Sequence, residues 1–327
     1  MRVLLTGAFG NVGLSTLDEL VRKGHDVRAL DLDTPANRRA ARPYRGKIDV
    51  VWGDLRDREV LARAVADCQT VLHVAAIIPP LADREPELAR SVNVEGTSNL
   101  IKAMEAQPQS PRLFYASSVA VYGNRLDTPM IRPGDPPEPN PEDGYAKQKL
   151  ACEGLIQGSE LTWSIFRLTY IPSTTNLKMD PIMFEMPLAT SIEICHTRDV
   201  GLAFANAAEA DFVWGKIMHI AGGLACRTTY GQHVDEMMEI FGLGRGLLPP
   251  EAFATDGYHC GFMTTDDTKA LGYHRHTLED YYREVRRQVA WRRPLLRLVR
   301  PLARGYLLRR SPYYQRRCGR RPVPPES

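Results

Sequence analysis

The chain has 327 residues, 43% apolar and 25% charged, which is the balance of an ordinary soluble globular protein. Its net charge of +3 hides an asymmetry: Val285 to Ser327 holds 13 Arg, no Lys and one acid, Glu326, while residues 1–284 carry 29 basic and 38 acidic side chains, a net of −9. No run of 18 apolar residues exists, which argues against a spanning helix, and six scattered cysteines without a CxxC argue against a disulfide framework.

Arg2–Thr6 reads as a strand that begins at the initiator and leaves no room for a signal peptide, so a cytoplasmic protein is expected. Thr6-Gly-Ala-Phe-Gly-Asn-Val-Gly13 then opens a helix over Val12–Lys23. Glycines 7, 10 and 13 between strand and helix are the context of a dinucleotide fingerprint: a tight turn, close approach of a pyrophosphate, and close helix–strand packing. The helix N-terminus offers its free N–H groups to phosphate. Val27–Leu32 is the second strand, and Asp31 lies 18 residues after Gly13, placed to accept from adenosine ribose hydroxyls. That predicts NAD as cofactor. Arg38 and Arg39 follow closely and keep NADP open.

Ile48–Trp52, Thr70–Ala75, Arg112–Ala116 and Thr162–Leu168 read as strands. Val60–Asp67, Glu87–Ala106 and Tyr145–Gly158 read as the helices between them. This rhythm predicts an α/β fold, a Rossmann-type doubly wound parallel sheet. Pro129–Pro141 is a proline-rich loop, and beyond Tyr170 the pattern turns irregular, with helices at Asp199–Ala210 and Tyr230–Phe241. We therefore expect a nucleotide-binding domain over 1–170, helped by about 196–212, a smaller substrate-binding region over 171–284, and a basic tail over 285–327 that is disordered from Ser311. His259, Cys260, His274 and His276 match no zinc spacing, so they are read as loop residues and no metal site is expected.

The order of motifs resembles the short-chain dehydrogenase/reductase family, in its extended branch of epimerases, dehydratases and reductases. The carriers are TGAFGNVG, Gly53-Asp54-Leu55, His73-Val-Ala-Ala76, Asn93-Val-Glu-Gly-Thr97, Ser117-Ser-Val-Ala-Val-Tyr-Gly123, Tyr145-Ala-Lys-Gln-Lys149 and His196-Thr-Arg-Asp-Val200. The resemblance implies that Gly7, Phe9, Gly10, Asn11, Val12, Gly13, Asp31, Asp54, Leu55, Ala75, Ala76, Asn93, Tyr145 and Lys149 meet the cofactor. Tyr145 would be general acid/base, Lys149 would stabilise its phenolate and hold the nicotinamide ribose, and Ser118 would orient the substrate, with Ser117 as alternate. Asn93 would hold water or backbone near Lys149, or bend its helix. His73 reads as a hydrogen-bonded strand-end residue.

Val119 and Ala120 stand where dehydratases of the branch carry an acidic pair, which weakens elimination of water. Arg167-Leu-Thr-Tyr-Ile-Pro-Ser173 lacks the asparagine that often touches a sugar diphosphate. Ile77, Ile78 and Tyr170 join Ser117 and Ser118 as expected substrate contacts, and with the methionines of 179–186 they suit a small molecule less polar than a nucleotide sugar. The leading expectation is an NAD(P)-dependent oxidoreductase on a secondary alcohol or ketone. An NDP-sugar epimerase with tightly bound NAD and a non-catalytic NAD(P)-sensing protein are the alternatives. Family members commonly dimerise through the Glu87–Ala106 and Tyr145–Gly158 helices. For the tail, three readings stand: contact with an anionic membrane through Trp291, Leu295, Leu298, Leu302 and Leu307, packing on the acidic body or a second subunit, and, ranked last, nucleic acid, for which no specific reading element is present.

Overall fold

The computed structural model describes residues 1–177 and 179–319. Eleven strands lie in this chain order: β1 (Arg2–Thr6), β2 (Asp26–Asp31), β3 (Asp49–Trp52), β4 (Thr70–His73), β5 (Arg112–Ser118), β6 (Met130–Ile131), β7 (Trp163–Leu168), β8 (Ser191–Glu193), β9 (Lys216–Ile220), β10 (Arg227–Thr229) and β11 (Phe262–Met263). Seven of them form one sheet in the order β3-β2-β1-β4-β5-β7-β9, and every pairing in it is parallel. The order reverses between β1 and β4, so the carboxyl ends of those strands open a crevice there, where α/β sheets take ligands.

Alternate residues of each strand face opposite sides, and each side has its own helices. Val3, Leu5, Val27, Phe114 and Phe166 pack with Leu17, Leu20, Val200 and Phe204 on one face. Leu4, Leu30, Val71, Leu113, Tyr115 and Ile165 pack with Leu61, Leu100, Met104, Cys152 and Ile156 on the other. Each fully buried aliphatic chain of this kind contributes roughly 1.5–3 kcal/mol.

The strands and helices expected in the first half fall within a few residues of their bounds, while helix Pro35–Ala41 and strand β6, inside the segment Pro129–Pro141 read as loop, were not expected. Glu87–Ala106 is a difference: helix Pro86–Arg90 and helix Gly96–Glu105 are joined by a π turn over Ser91–Glu95. The boundaries of the regions also differ. Lys216–Ile220 pairs with β7, so the nucleotide sheet ends at about residue 220 rather than at 170 with help from 196–212. Helix Thr197–Ala207 returns to the sheet and lies on the first helix, Asn11–Arg22, with Gly201 against the Ser15 backbone. There Thr197 Oγ1 donates to the Asn11 carbonyl at 3.0 Å, and the Ser15 and Thr197 hydroxyls hydrogen-bond each other.

A second core forms from Phe184, Met186, Ile192, Tyr230, Val234, Met238, Phe241, Phe253, Tyr281 and Val285. The tail belongs to it. Helix Leu278–Val289 crosses the expected boundary at 285, and Leu307 and Leu308 of helix Arg300–Arg310 are buried in the same core. Leu307 therefore does not face lipid. Residues 312–317 form a helix rather than a disordered end, since Ser311 caps it at Tyr314 N and Gln315 donates to the Leu308 carbonyl at 2.8 Å. The remainder of that expectation, residues 320–327, lies outside the described residues.

Candidate active site

A cleft of about 790 Å³ runs from the glycine turn across the ends of β1, β4, β5 and β7 into the second core. Its first wall is backbone. Gly7 has φ +66°, a left-handed conformation suited to glycine, and a Cβ at Gly13 would lie 1.9 Å from the Gly7 carbonyl oxygen. The first helix begins at Asn11 on a Gly10 cap with no side chain bonded to it, so its leading N–H groups face the cleft unclaimed by any side chain. Asp31 ends β2 beside this turn. Its carboxylate accepts from Phe9 N at 2.8 Å, Leu32 N at 2.8 Å and Asn37 Nδ2 at 3.0 Å. Burial raises its pKa, and the two backbone N–H groups oppose that rise. Arg38 is engaged elsewhere, paired with Asp33 and stacked 5.4 Å over Trp52. A glycine-built cradle, an open helix N-terminus and a carboxylate at the strand end together fit a dinucleotide with a free ribose 2′-hydroxyl.

Gly7, Gly10, Asn11, Val12, Gly13, Asp31, Asp54, Leu55, Ala75, Ala76, Ile77, Ile78, Ser118, Tyr145, Lys149 and Tyr170 all line this one cleft. Three expected residues depart from their assignments. The Phe9 ring is buried 5.4 Å from Trp52, and its N–H is used by Asp31. Asn93 sits behind the wall in the π turn: its Oδ1 accepts from Ile77 N at 2.7 Å, and its Nδ2 donates to Ile77 O at 2.8 Å and Gln148 Oε1 at 2.7 Å. It positions the Ile77 backbone and meets the cleft only through it. Ser117 also lines the cleft, but its hydroxyl is taken up by buried Glu153, to which it donates at 2.5 Å. That carboxylate also accepts from Arg167 Nε at 3.0 Å and Nη2 at 2.6 Å, and Arg167 Nη1 donates to Tyr122 at 2.7 Å. Alternation along a strand explains the division: of two adjacent serines, one turns its hydroxyl to the packing network and the other to the cleft.

Tyr145 and Lys149 stand one turn apart on helix Gly144–Gln157, which Asp143 caps through Ala146 N at 2.8 Å. Lys149 is buried and donates from Nζ to the Ala116 carbonyl at 2.6 Å, with its ammonium 4.7 Å from the Tyr115 ring and 5.7 Å from that of Tyr145. Burial lowers its pKa to about 8. Burial raises the Tyr145 phenol well above its ordinary value; the Ser118 hydroxyl opposes this and nearby Asp143 adds to it. His73 is held between Thr6 Oγ1 at 2.7 Å and Thr97 Oγ1 at 2.9 Å, and burial followed by the charge of Lys149 lowers its pKa to about 3. It is a neutral bracket between β1, β4 and helix Gly96–Glu105.

The far half of the cleft is built from Met179, Ile182, Met183, Met186, Tyr230, His233, Val234, Met237, Phe241, Tyr258, Cys260 and Tyr281. Lys149 is the lone lysine or arginine among the described lining residues. Most of this set went unassigned in the sequence. The stripe Tyr230, Val234, Met237, Phe241 was findable from its helical spacing. Tyr258, Cys260 and Tyr281 come from loops and a distant helix with no shared local pattern. His259 also reaches the cleft, and its Nδ1 lies 2.6 Å from Asp143 Oδ2, tying that loop to the cap of the tyrosine helix. His274 and His276 contact Ala221 O and Asp199 respectively, away from it.

Residues 3–175 match the profile of the NAD dependent epimerase/dehydratase family. A 3-beta-hydroxysteroid dehydrogenase of Mycolicibacterium neoaurum is 31% identical over 264 residues, 76% of this chain and 69% of that protein. A D-erythronate dehydrogenase of Cupriavidus necator is 32% identical over 168 residues, 48% of this chain and about half (49%) of its own length. Among solved structures, the UDP-glucose 4-epimerase of Thermus thermophilus in complex with NAD has the same fold, with a TM-score of 0.70, 21% identity, and coverage of 89% of this chain and 99% of that one.

Proposed function

Since the chain belongs to the NAD dependent epimerase/dehydratase family and is an enzyme whose cofactor is NAD, we propose that it is a dehydrogenase or reductase of an apolar secondary alcohol or ketone. The observation that carries this reading is the far half of the cleft. It is lined by methionine, aliphatic and aromatic side chains, and none of its described lining residues is a lysine or arginine. Among the described residues, that wall offers the diphosphate of a nucleotide sugar no lysine or arginine. An apolar ring system would instead bury its surface there, with the hydroxyls of Tyr170 and Tyr281 available to fix its orientation, that of Tyr230 being donated to the Met183 carbonyl. The similarity to a protein named as a hydroxysteroid dehydrogenase supports the same class of substrate.

In this reading Gly7, Gly10, Asn11, Val12 and Gly13 hold the pyrophosphate and Asp31 the adenosine ribose, with Asp54, Leu55, Ala75 and Ala76 along the remaining wall. Engagement of Arg38 with Asp33 favours NAD over NADP. When bound, NAD supplies hydride acceptance and return. Ser118 donates to or accepts from the substrate oxygen and holds it against the Tyr145 phenol. Tyr145 takes the alcohol proton in oxidation and returns one to the carbonyl oxygen in reduction. Lys149, fixed on Ala116 O below the phenol, supplies positive charge that stabilises the phenolate. Asn93 keeps the Ile77 backbone at the rim, and the apolar far wall excludes water from the reacting carbon.

Purified protein given NAD and a 3-hydroxysteroid, as an apolar probe, is expected to form NADH, whereas UDP-glucose and dTDP-glucose are expected to give neither NADH nor an inverted sugar. Inversion of a sugar nucleotide at C4 without net NADH, together with no turnover of apolar alcohols, would establish the epimerase instead.

A further inference from the structure

The tail lies on the second core by one face only. Leu296, Ala303, Leu307 and Leu308 pack inward, Arg293 Nη2 donates to Glu239 Oε1 at 3.1 Å, Arg304 Nε donates to Leu247 O at 3.0 Å, and Ser311 Oγ donates to Ala252 O at 2.5 Å. Helices Arg293–Leu298 and Arg300–Arg310 follow each other almost without a break, since Val299 N still donates to Leu295 O and Ala303 N to Val299 O. The opposite face carries Trp291, Leu295, Leu298, Leu302 and Tyr306, each between 51% and 81% exposed. Their spacing of four, three, four and four residues places them in one stripe. Exposed Arg292, Arg297, Arg300 and Arg309 flank it, and none has a carboxylate partner among the described residues.

We propose that this face docks the protein on an anionic lipid surface, with the leucines in the acyl boundary and the arginines among the headgroups. Charge and shape decide the occupant. A stripe of leucine and tryptophan rimmed by unpaired arginine matches an interface that is apolar within and anionic at its border. A second copy meeting it face to face would bring the same arginines together at close range. Nucleic acid would satisfy the arginines and leave the leucines in water. Among the described residues no helix is long and apolar enough to cross a membrane, so the contact is one of lying on the surface. The stripe also borders the cleft. A cavity of about 330 Å³ is lined by Thr175, Asn176, Leu177, Gln288, Val289, Trp291 and Arg292, and Asn176 and Leu177 line the main cleft as well.

The test is flotation of the full chain with vesicles of phosphatidylcholine alone or with one quarter phosphatidylglycerol, with tryptophan emission read in parallel. Binding is expected to the phosphatidylglycerol vesicles, weakened by salt, with a blue shift of Trp291 emission. Leu298→Glu/Leu302→Glu is expected to lower partition about tenfold or more while the melting temperature holds, because both side chains are exposed. Arg292→Ala/Arg297→Ala/Arg300→Ala is expected to remove the preference for phosphatidylglycerol with the fold intact. Absence of wild-type flotation, or equal flotation of the leucine variant, overturns the proposal. So does light scattering that shows a dimer which the leucine variant splits, in a protein that binds no vesicle. Partition is read without any substrate, so the proposal stands or falls apart from the choice of alcohol.

Discussion

The two halves of the cleft are made of different material. The nucleotide half is backbone: glycines pressed against each other, a bare helix end, and one carboxylate held by N–H groups. The substrate half is side chain, contributed by the loop after β7, by helix Tyr230–Ile240, by the segment 258–260 and by Tyr281. A backbone wall tolerates almost no added atom, and so it holds one ligand class. A side-chain wall of methionine and aromatics can be repacked residue by residue, so it can change its substrate without disturbing the cofactor. Tyr145, Ser118 and Lys149 stand on the seam.

The hardest blow to that picture falls on the seam. Tyr145→Phe is expected to lower kcat by about 10²–10⁴ while leaving the NAD dissociation constant within about twofold, measured by steady-state kinetics and by cofactor titration. Equal losses in both would mean that the phenol belongs to the nucleotide half. Next comes the network behind Ser117. Arg167→Met leaves Glu153 buried without its partner and is expected to cost about 3–5 kcal/mol in chemical denaturation. Adding Glu153→Gln is expected to recover much of that loss, since the two residues are coupled. Gly13→Ala drives a methyl into the Gly7 carbonyl and is expected to weaken NAD about a hundredfold, roughly 2.7 kcal/mol, in calorimetric titration.

A smaller effect separates charge from packing. Lys149 has a folded pKa of about 8, below its unfolded value near 10.5, so the unfolded chain binds more protons between those limits and stability rises with pH across them. The cost of burying the ammonium is felt in full below about pH 8. Lys149→Met is therefore expected to stabilise the cofactor-free protein by about 1–2 kcal/mol at pH 7, after the lost bond to Ala116, and to lose that advantage toward pH 10.5. A pH-independent difference in denaturation midpoints would refute the assignment. Met183→Ala should be mildest: a KM raised about three- to tenfold for the apolar substrate, with NAD binding unchanged.

The same contrast explains what the sequence let one read. Glycine spacing and strand–helix alternation are local signals, and strands β1 to β5 and β7 lie close to their expected bounds for that reason. Ser117 and Ser118 were adjacent and chemically alike, and the pleat separates them only once β5 is placed between β4 and β7. Asn93 is expected at the cofactor, and only the π turn, which its local sequence does not announce, aims its amide at the Ile77 backbone instead. Lys216–Ile220 was too short and too mixed to announce itself as the sheet's last strand. The Tyr258, Cys260 and Tyr281 contacts depend on tertiary folding alone. For the tail, packing on the body is one of the expected readings and holds for Leu307 and Leu308, whereas Leu307 is also expected at lipid, since spacing alone does not say which leucines turn inward.

The returning helix Thr197–Ala207 has a consequence for engineering. Its Thr197 hydroxyl grips the first turn of the phosphate-facing helix, and Asn11 Nδ2 in turn donates to Ile171 O at 3.3 Å. A chimera that exchanged everything after residue 170 for the corresponding part of a relative would graft a foreign clasp onto that turn. The workable exchange leaves residues 196–220 with the recipient and swaps the two flanking segments together.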